Sequence, residues 1–158
     1  MLAVIADTHL PRGRRRLPDP CVARLRATDG ILHAGDLSTL AVLDELEALG
    51  PPVHAVHGNV DDALRARLSA ARIVRAGGAA IALVHDPGAA RGRLRARFPQ
   101  ADAVVFGHSH IPLHEQAPDG LQIFNPGSPT ERRRHPRHTM GMAYACDGRV
   151  RFVVVELD

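Results

Sequence analysis

Met1-Leu2-Ala3-Val4-Ile5-Ala6-Asp7-Thr8-His9 is an apolar run that ends in a carboxylate and an imidazole two residues apart. An apolar run with no polar alternation reads as a strand buried on both faces, the kind that parallel sheets use. Gly30-Ile31-Leu32-His33-Ala34 repeats the pattern and breaks at Gly35-Asp36, and Val53 to His57 repeats it again and stops at Gly58-Asn59. Helical signals lie between these runs. Asp19-Pro20 predicts an N-cap followed by proline at the first helical position, continued by Val22 and Leu25. Ser38 or Thr39 predicts the cap of a second helix carrying Leu40, Leu43, Leu46 and Leu49, which Gly50-Pro51-Pro52 stops. Strand, helix, strand, helix is the rhythm of an α/β protein with a parallel sheet.

Further along, Asp61-Asp62 predicts a helix start with Leu64 and Leu68 on one face, and Arg72–Arg75 and Ala79–Val84 predict a hairpin through Gly77-Gly78. The second hairpin strand ends at His85. Asp86-Pro87 then predicts a capped helix with Ala90, Leu94 and Phe98 spaced four apart, and Ala103 to Phe106 a strand ending at Gly107-His108. Thereafter the helices cease: Leu113–Glu115, Leu121–Phe124, Met142–Ala145 and Val150–Leu157 read as strands, with turns at Asp119-Gly120 and Asp147-Gly148. With no linker and no repeat, residues 1–158 are expected to form one domain.

Composition narrows the function classes. With 45% hydrophobic and 23% charged residues the chain is an ordinary globular one. Its longest apolar run, Ala76 to Val84, is about half the ~20 residues of a membrane-spanning helix. The start of the chain lacks the basic segment of a secretory signal, so a cytoplasmic location and no membrane partner are expected. Cys21 and Cys146, far apart in sequence, read as two reduced, packed thiols. The basic residues are all arginine, clustered at Arg12–Arg16, Arg91–Arg97 and Arg132–Arg137, yet the net charge is only +3. Such runs read first as solvated faces. With 3% aromatics and no tryptophan there is little to stack on bases, so nucleic acid is not expected as a specific partner.

The ten histidines matter more for where they fall than for their number. Five predicted strands end directly in metal-binding residue types: Asp7-x-His9, Gly35-Asp36, Gly58-Asn59, His85 and Gly107-His108-x-His110. In an α/β sheet the ligand site lies beyond the carboxyl ends of the strands, where these five segments would converge. An Asp-x-His or a His-x-His alone is a weak motif; their joint occurrence at strand ends is specific. The set comprises Asp7, His9, Asp36, Asn59, His85, His108 and His110, with no thiolate. Imidazole with carboxylate suits manganese, iron or zinc better than calcium or magnesium. Seven ligands exceed one tetrahedral site and suffice for two ions if one carboxylate bridges.

This order of motifs resembles that of the calcineurin-like metallophosphoesterases. The stretch Ile31 to Asp36, the run Gly107-His108-Ser109-His110-Ile111-Pro112 and Asn125-Pro126-Gly127-Ser128 resemble their small single-domain bacterial and archaeal phosphodiesterase branch, and the likeness spans nearly the whole chain. The resemblance implies a four-layer αββα sandwich. It implies that Asp7, His9, Asp36 and His110 hold one ion and Asp36, Asn59, His85 and His108 the other, with Asp36 bridging and Asn59 also facing the substrate phosphate. His33 and Asp61 would stand behind the ligands and orient them. Two divalent transition ions per chain are expected, Mn2+ foremost, with Fe, Zn or Ni as alternatives. Two such ions about 4 Å apart lower the pKa of a bound water towards ~7, direct the hydroxide at phosphorus and stabilise the leaving oxygen. The expected activity is therefore hydrolysis of a phosphodiester, or of a phosphomonoester, on a small phosphoester substrate; a homo-oligomer is left open.

Two positions depart from the family pattern. Many members carry a proton-donating histidine directly after the Gly-Asn pair, and here that position is Val60. His57 and His9 are the nearest candidates to supply the proton. Asp86 replaces a common glycine after the metal histidine and reads as a helix cap beside Pro87. The run Asn125 to Ser128 reads as a turn packed under the site, while Arg12–Arg16, following directly on His9, is a candidate grip for a phosphorylated substrate. Two rival readings remain: a catalytically weak binding scaffold of the same fold, as in a retromer subunit, and a small nuclease of the superfamily.

Overall fold

The computed structural model describes residues 1–88 and 91–158. Ten strands form two five-stranded sheets. The first sheet takes β1 (Leu2–Ile5), β2 (Gly30–His33), β3 (Val53–Ala55), β9 (Thr139–Cys146) and β10 (Arg149–Glu156) in the order β10-β9-β1-β2-β3. The second takes β4 (Ala71–Ala76), β5 (Ala79–Val84), β6 (Ala103–Val105), β7 (Leu113–Gln116) and β8 (Gln122–Asn125) in the order β4-β5-β6-β8-β7. Each sheet has a parallel centre: β1 pairs with β2 and β2 with β3, and in the other sheet β5 pairs with β6 and β6 with β8. The parallel strands are short and fully buried, which is why they read as uninterrupted apolar runs.

Three apolar clusters show the layering. Leu2, Val4, Leu32, Ile81, Leu83, Val105, Phe124 and Phe152 fill the space between the sheets. The other face of the first sheet, with Ala3, Ile5 and Ile31, is covered by α1 (Asp19–Arg26) through Cys21 and Leu25 and by α2 (Leu40–Glu47) through Leu43 and Leu46. The outer face of the second, with Ala82, Val104 and Ile123, is covered by Leu94 of the short α3 (Leu94–Arg97) and by Phe98. The result is the expected αββα sandwich. Among the described residues no helix is long and apolar enough to cross a membrane.

The local expectations that failed did so at helix starts. Asp19 is the first helical residue of α1 and Pro18 its cap, so Pro20 stands one place further in than expected. Asp61-Asp62 opens only a single 3-10 turn at Asp62–Leu64, because the Asp61 carboxylate is engaged elsewhere. Among the described residues Asp86 caps no helix: its Oδ1 accepts the Gly88 N–H at 2.8 Å, and the next described helical turn is Arg91–Arg93. Ala90 lies outside the described residues. Cys21 is buried and its thiol is pushed up to about 12 by that burial, whereas Cys146 is exposed rather than packed.

Gly141 of β9 marks a tight crossing of the core. A Cβ there would stand 2.5 Å and 2.8 Å from two Phe124 ring atoms and 3.1 Å from Val4 Cβ. Phe124 is fully buried and stacks on Phe152 at 4.5 Å, so it has no free direction in which to yield. Gly141→Ala is therefore expected to lower the unfolding free energy by about 1–3 kcal/mol, the usual cost of overpacking, in urea titrations; an unchanged midpoint would show that the Phe124 layer has slack.

Candidate metal centre

The carboxyl ends of β1, β2, β5 and β6 meet at one edge of the sandwich. Backbone pairing continues past the strands: Asp7 and His9 donate to the Gly35 and Asp36 carbonyls, each at 2.9 Å, and Gly107 donates to the His85 carbonyl at 3.0 Å. Two hydrogen bonds then join one sheet to the other. The His108 N–H donates to Asp7 Oδ1 at 3.0 Å, and His85 Nδ1 donates to the Ala34 carbonyl at 2.9 Å.

The cluster is built on unusual backbone. Asp7, His9, Asp36, His108 and His110 all have positive φ, between 46° and 69°. For a residue with a Cβ this conformation costs on the order of 1 kcal/mol or more, and it persists where surrounding contacts over-determine it. Two glycines let the loops approach. A Cβ on Gly58 would fall 2.1 Å from Asp36 Oδ1 and 2.5 Å from its backbone N, and one on Gly35 would fall 2.7 Å from His85 Nδ1.

Within this frame two groups of side chains have ligand atoms close enough to share an ion: Asp7, His9 and His110, and Asp7, Asp36 and His85. Asp7 is common to both. Asp36 also reaches towards both, its Oδ2 lying 3.5 Å from His9 Nε2 and 3.4 Å from His85 Nε2. Two atoms here are buried without a hydrogen-bond partner, Asp7 Oδ2 and His85 Nε2. A cation between them would satisfy both, so the donor set fits divalent metal. His108 is in neither group, and it and Asn59 are both exposed. The His108 ring meets the His85 ring edge-on at 5.3 Å, and Asn59 lines a cleft of about 210 Å3 with His57, Gly58 and His85.

Protonation follows from the surroundings. Burial raises Asp7 to about 7 despite the opposing charge of His85. Asp36 is also buried, but the charge of the His85 ring 3.4 Å away, together with the Val60 N–H at 3.1 Å, holds it below the usual carboxylate range. Burial lowers His9, and lowers His110 to about 4, so both rings are neutral at pH 7. Burial also opposes protonation of His85, but Asp36 and Asp7 outweigh it and its pKa is raised. With Nδ1 of His85 and of His110 each donating to a backbone carbonyl, the latter to Glu131 at 2.5 Å, both rings turn Nε2 towards the cluster.

Behind the cluster, Asp61 is wholly buried and its carboxylate accepts three backbone N–H groups. These come from Asp36 at 2.8 Å, Ser38 at 2.7 Å and Gly58 at 2.7 Å. One side chain thus ties the Asp36 loop to the Asn59 loop. His33, also buried and lowered to about 4 by that burial, accepts the Gly35 N–H at Nδ1 and donates from Nε2 to Thr8 Oγ1 at 3.1 Å. It therefore braces two loops rather than touching a ligand side chain. Asn125 likewise supports the Gly107–His110 loop, donating to the Gly107 carbonyl at 2.8 Å and Ser109 Oγ at 3.1 Å.

Residues 1–148 match the family model described as the calcineurin-like phosphoesterase superfamily domain. The chain belongs to that superfamily. It is 33% identical over 138 residues to a probable metallophosphoesterase of Methanothermobacter thermautotrophicus, covering 84% of this chain and 79% of that protein. Among solved structures, the fold is similar to Vps29 of Entamoeba histolytica in its zinc complex, with a TM-score of 0.76 and 24% identity over 99% of both chains. It is similar too to an archaeal phosphodiesterase, with a TM-score of 0.71 and 20% identity over 98% of this chain and 99% of that one.

Sequence reasoning assigned Asp61 a supporting place but could not see that it joins two loops, and while it set Ser128 in a turn under the site it missed the segment 129–133 beside the cluster. Ser128 Oγ donates to the Asp7 carbonyl at 2.8 Å and Thr130 Oγ1 to the Thr8 carbonyl at 2.6 Å. Asp61→Asn tests the loop junction. An amide oxygen can accept at most two of the three N–H groups, so the variant is expected to lose about 1–3 kcal/mol of stability and to bind metal more weakly. Thermal unfolding with and without Mn2+ is the measurement, and wild-type behaviour in both would show that Asp61 is not the anchor.

Proposed function

We propose that this protein is a metal-dependent phosphodiesterase, with residues 1–158 as its working domain, whose site takes two divalent transition ions and hydrolyses small phosphodiesters. The observation that carries the reading is the pair of buried, unpartnered ligand atoms, Asp7 Oδ2 and His85 Nε2, at the meeting point of Asp36, His9 and His110. Family membership supports it. Asp7, His9 and His110 would hold one ion and Asp7, Asp36 and His85 the other, with Asp36 turned towards both and His108 and Asn59 completing the second from its exposed side. Divalent ions bound there would supply a hydroxide nucleophile at neutral pH and charge stabilisation at phosphorus. Mn2+ is the activator expected from the mixed imidazole and carboxylate donors.

The chain's own residues orient the ligands, and burial keeps two of the imidazoles neutral. Neutral His9 and His110 are ready to coordinate without shedding a proton. Because His9 Nε2 points into the cluster, 3.2 Å from His110 Nε2, the ligand role suits it, which leaves His57 as the donor to test if the leaving-group dependence proves flat. His57 is half-buried in the cleft that Asn59 also lines. Val60 is 48% exposed at the rim and offers only its backbone N–H, to Asp36.

Two experiments test the reading. The first is metal analysis and turnover: the purified protein should bind Mn2+ and cleave aryl phosphodiesters, chelation should abolish the rate, and Asp36→Asn should lower both metal content and rate by at least ~10²-fold. A protein that binds metal yet cleaves no phosphoester would favour the scaffold reading instead. The second is a leaving-group series. With no acid at Val60, nitrophenyl esters should turn over well and alkyl esters slowly, and Val60→His should raise the rate for poor leaving groups by less than the ~10²–10⁴-fold ceiling of general acid catalysis. A flat wild-type dependence with chemistry rate-limiting would mean that the proton is already supplied, and His57→Ala would then be expected to steepen it.

A further inference from the structure

Three of the arginines that follow His9 in sequence are already paired with carboxylates. Arg15 pairs with Glu131 at 2.8 Å, Arg12 reaches the same carboxylate at 3.3 Å, and Arg16 lies 3.9 Å from Asp19. Their charges are already met. The arginine that does border the cluster is Arg133, which comes from a run expected to be a solvated face.

Arg133 sits at the end of a segment fastened to both halves of the metal centre. Ser128 and Thr130 hydroxyls bind the carbonyls of Asp7 and Thr8, and the Glu131 carbonyl receives His110 Nδ1–H. Arg133 itself, at a φ of 48°, donates from one terminal nitrogen to the His108 carbonyl at 3.3 Å. Its backbone is thereby fixed beside Asp7, His9, His108 and His110, and its positive charge lowers the pKa of Asp7, His9 and His110. The side chain is exposed and forms no ion pair among the described residues, so most of its five N–H donors have no protein acceptor. An uncompensated guanidinium held beside a cluster of cation ligands does not serve the cations, which it repels. It serves an anion that arrives with them.

We propose that Arg133 is a substrate-binding residue of this site, whose guanidinium takes the non-bridging oxygens of the phosphoryl group presented to the metal ions. The inference rests on the phosphodiesterase reading above. A planar fork of donors matches two phosphoryl oxygens, which a lysine's single ammonium would not reproduce. The contact would strengthen as charge builds on those oxygens during attack, so both binding and rate depend on it.

The experiment uses the metal-loaded protein, its Arg133→Gln and Arg133→Lys variants, and Arg134→Gln as a neighbouring control. Affinity for inorganic phosphate is measured by calorimetry, metal content by elemental analysis, and kcat/KM on a nitrophenyl phosphodiester. Arg133→Gln is expected to keep its metal while losing about 10–100-fold in both phosphate affinity and kcat/KM. Arg133→Lys should fall between, and Arg134→Gln should match the wild type. Phosphate affinity unchanged in Arg133→Gln would overturn the proposal, as would a loss of metal that accounts for the loss of phosphate, since Arg133 would then act by holding the His108 carbonyl. If the wild type binds phosphate and turns over while the variant equals it, this inference alone fails. If the metal-loaded wild type neither binds phosphate nor cleaves esters, the phosphodiesterase reading fails with it.

Discussion

A buried carboxylate with one free oxygen governs this structure. Asp7 is completely enclosed, its Oδ1 takes the His108 N–H from the opposite sheet, and its Oδ2 has no donor at all. An ionised carboxylate in that position is costly, which is why its pKa is driven up to about 7 by burial. A fold that places the group there and then surrounds it with imidazole nitrogens and a second carboxylate has arranged a cavity for positive charge. The αββα sandwich makes this economical. Both sheets direct the carboxyl ends of their parallel strands to one edge, so Asp7 and Asp36 from one sheet meet His85, His108 and His110 from the other without long loops.

Holding those side chains demands backbone shapes that sequence alone would avoid. Five candidate ligands have positive φ, and partners outside the cluster fix the loops that carry them. Asp61 gathers the N–H groups of Asp36 and Gly58, His33 and Thr8 join the first two loops, and Ser128 with Thr130 clamps the carbonyls around Asp7. Polar residues packed beneath the cluster thus do the work that apolar packing does elsewhere in the molecule. The cost is paid in glycine as well, since at Gly35 and Gly58 any side chain would strike His85 or Asp36.

The layered fold and the convergence of Asp7, His9, Asp36, His85 and His110 could be read from the chain for one reason. A parallel strand buried on both faces has a sharp apolar end, and a metal ligand placed just beyond it stands out. What could not be read depended on contacts distant in sequence. Asp61 looks like a helix cap because its type and its leucines at Leu64 and Leu68 fit one; only the approach of Asp36, Ser38 and Gly58 shows that its oxygens are taken. Asp86 beside Pro87 misleads in the same way. The pairing of β9 with β1 joins Met142 to Ala3, and no local pattern encodes it. Arg133 was hidden by its neighbours: within a run of arginines, the one that reaches the cluster is known only when its guanidinium is seen on the His108 carbonyl while Glu131 serves Arg12 and Arg15.

Preorganisation links these features to chemistry. An imidazole free to rotate must be aligned before it can bind a cation, and one protonated at neutral pH must first release a proton. His85 and His110 avoid the first cost, because each spends Nδ1–H on a backbone carbonyl and so presents Nε2 inward. His9 and His110 avoid the second, because burial lowers their pKa. The exposed side of the centre, where His108, Asn59, Val60 and Arg133 lie, is by contrast open and only lightly bonded. A rigid inner wall that fixes the ligands and an open outer wall carrying an unpaired guanidinium are what the proposed exchange of an anionic ester at bound ions would require. Under that proposal, the lack of a fixed acid at Val60 would make the ease of departure of the leaving group, rather than its size, the property on which such a site discriminates.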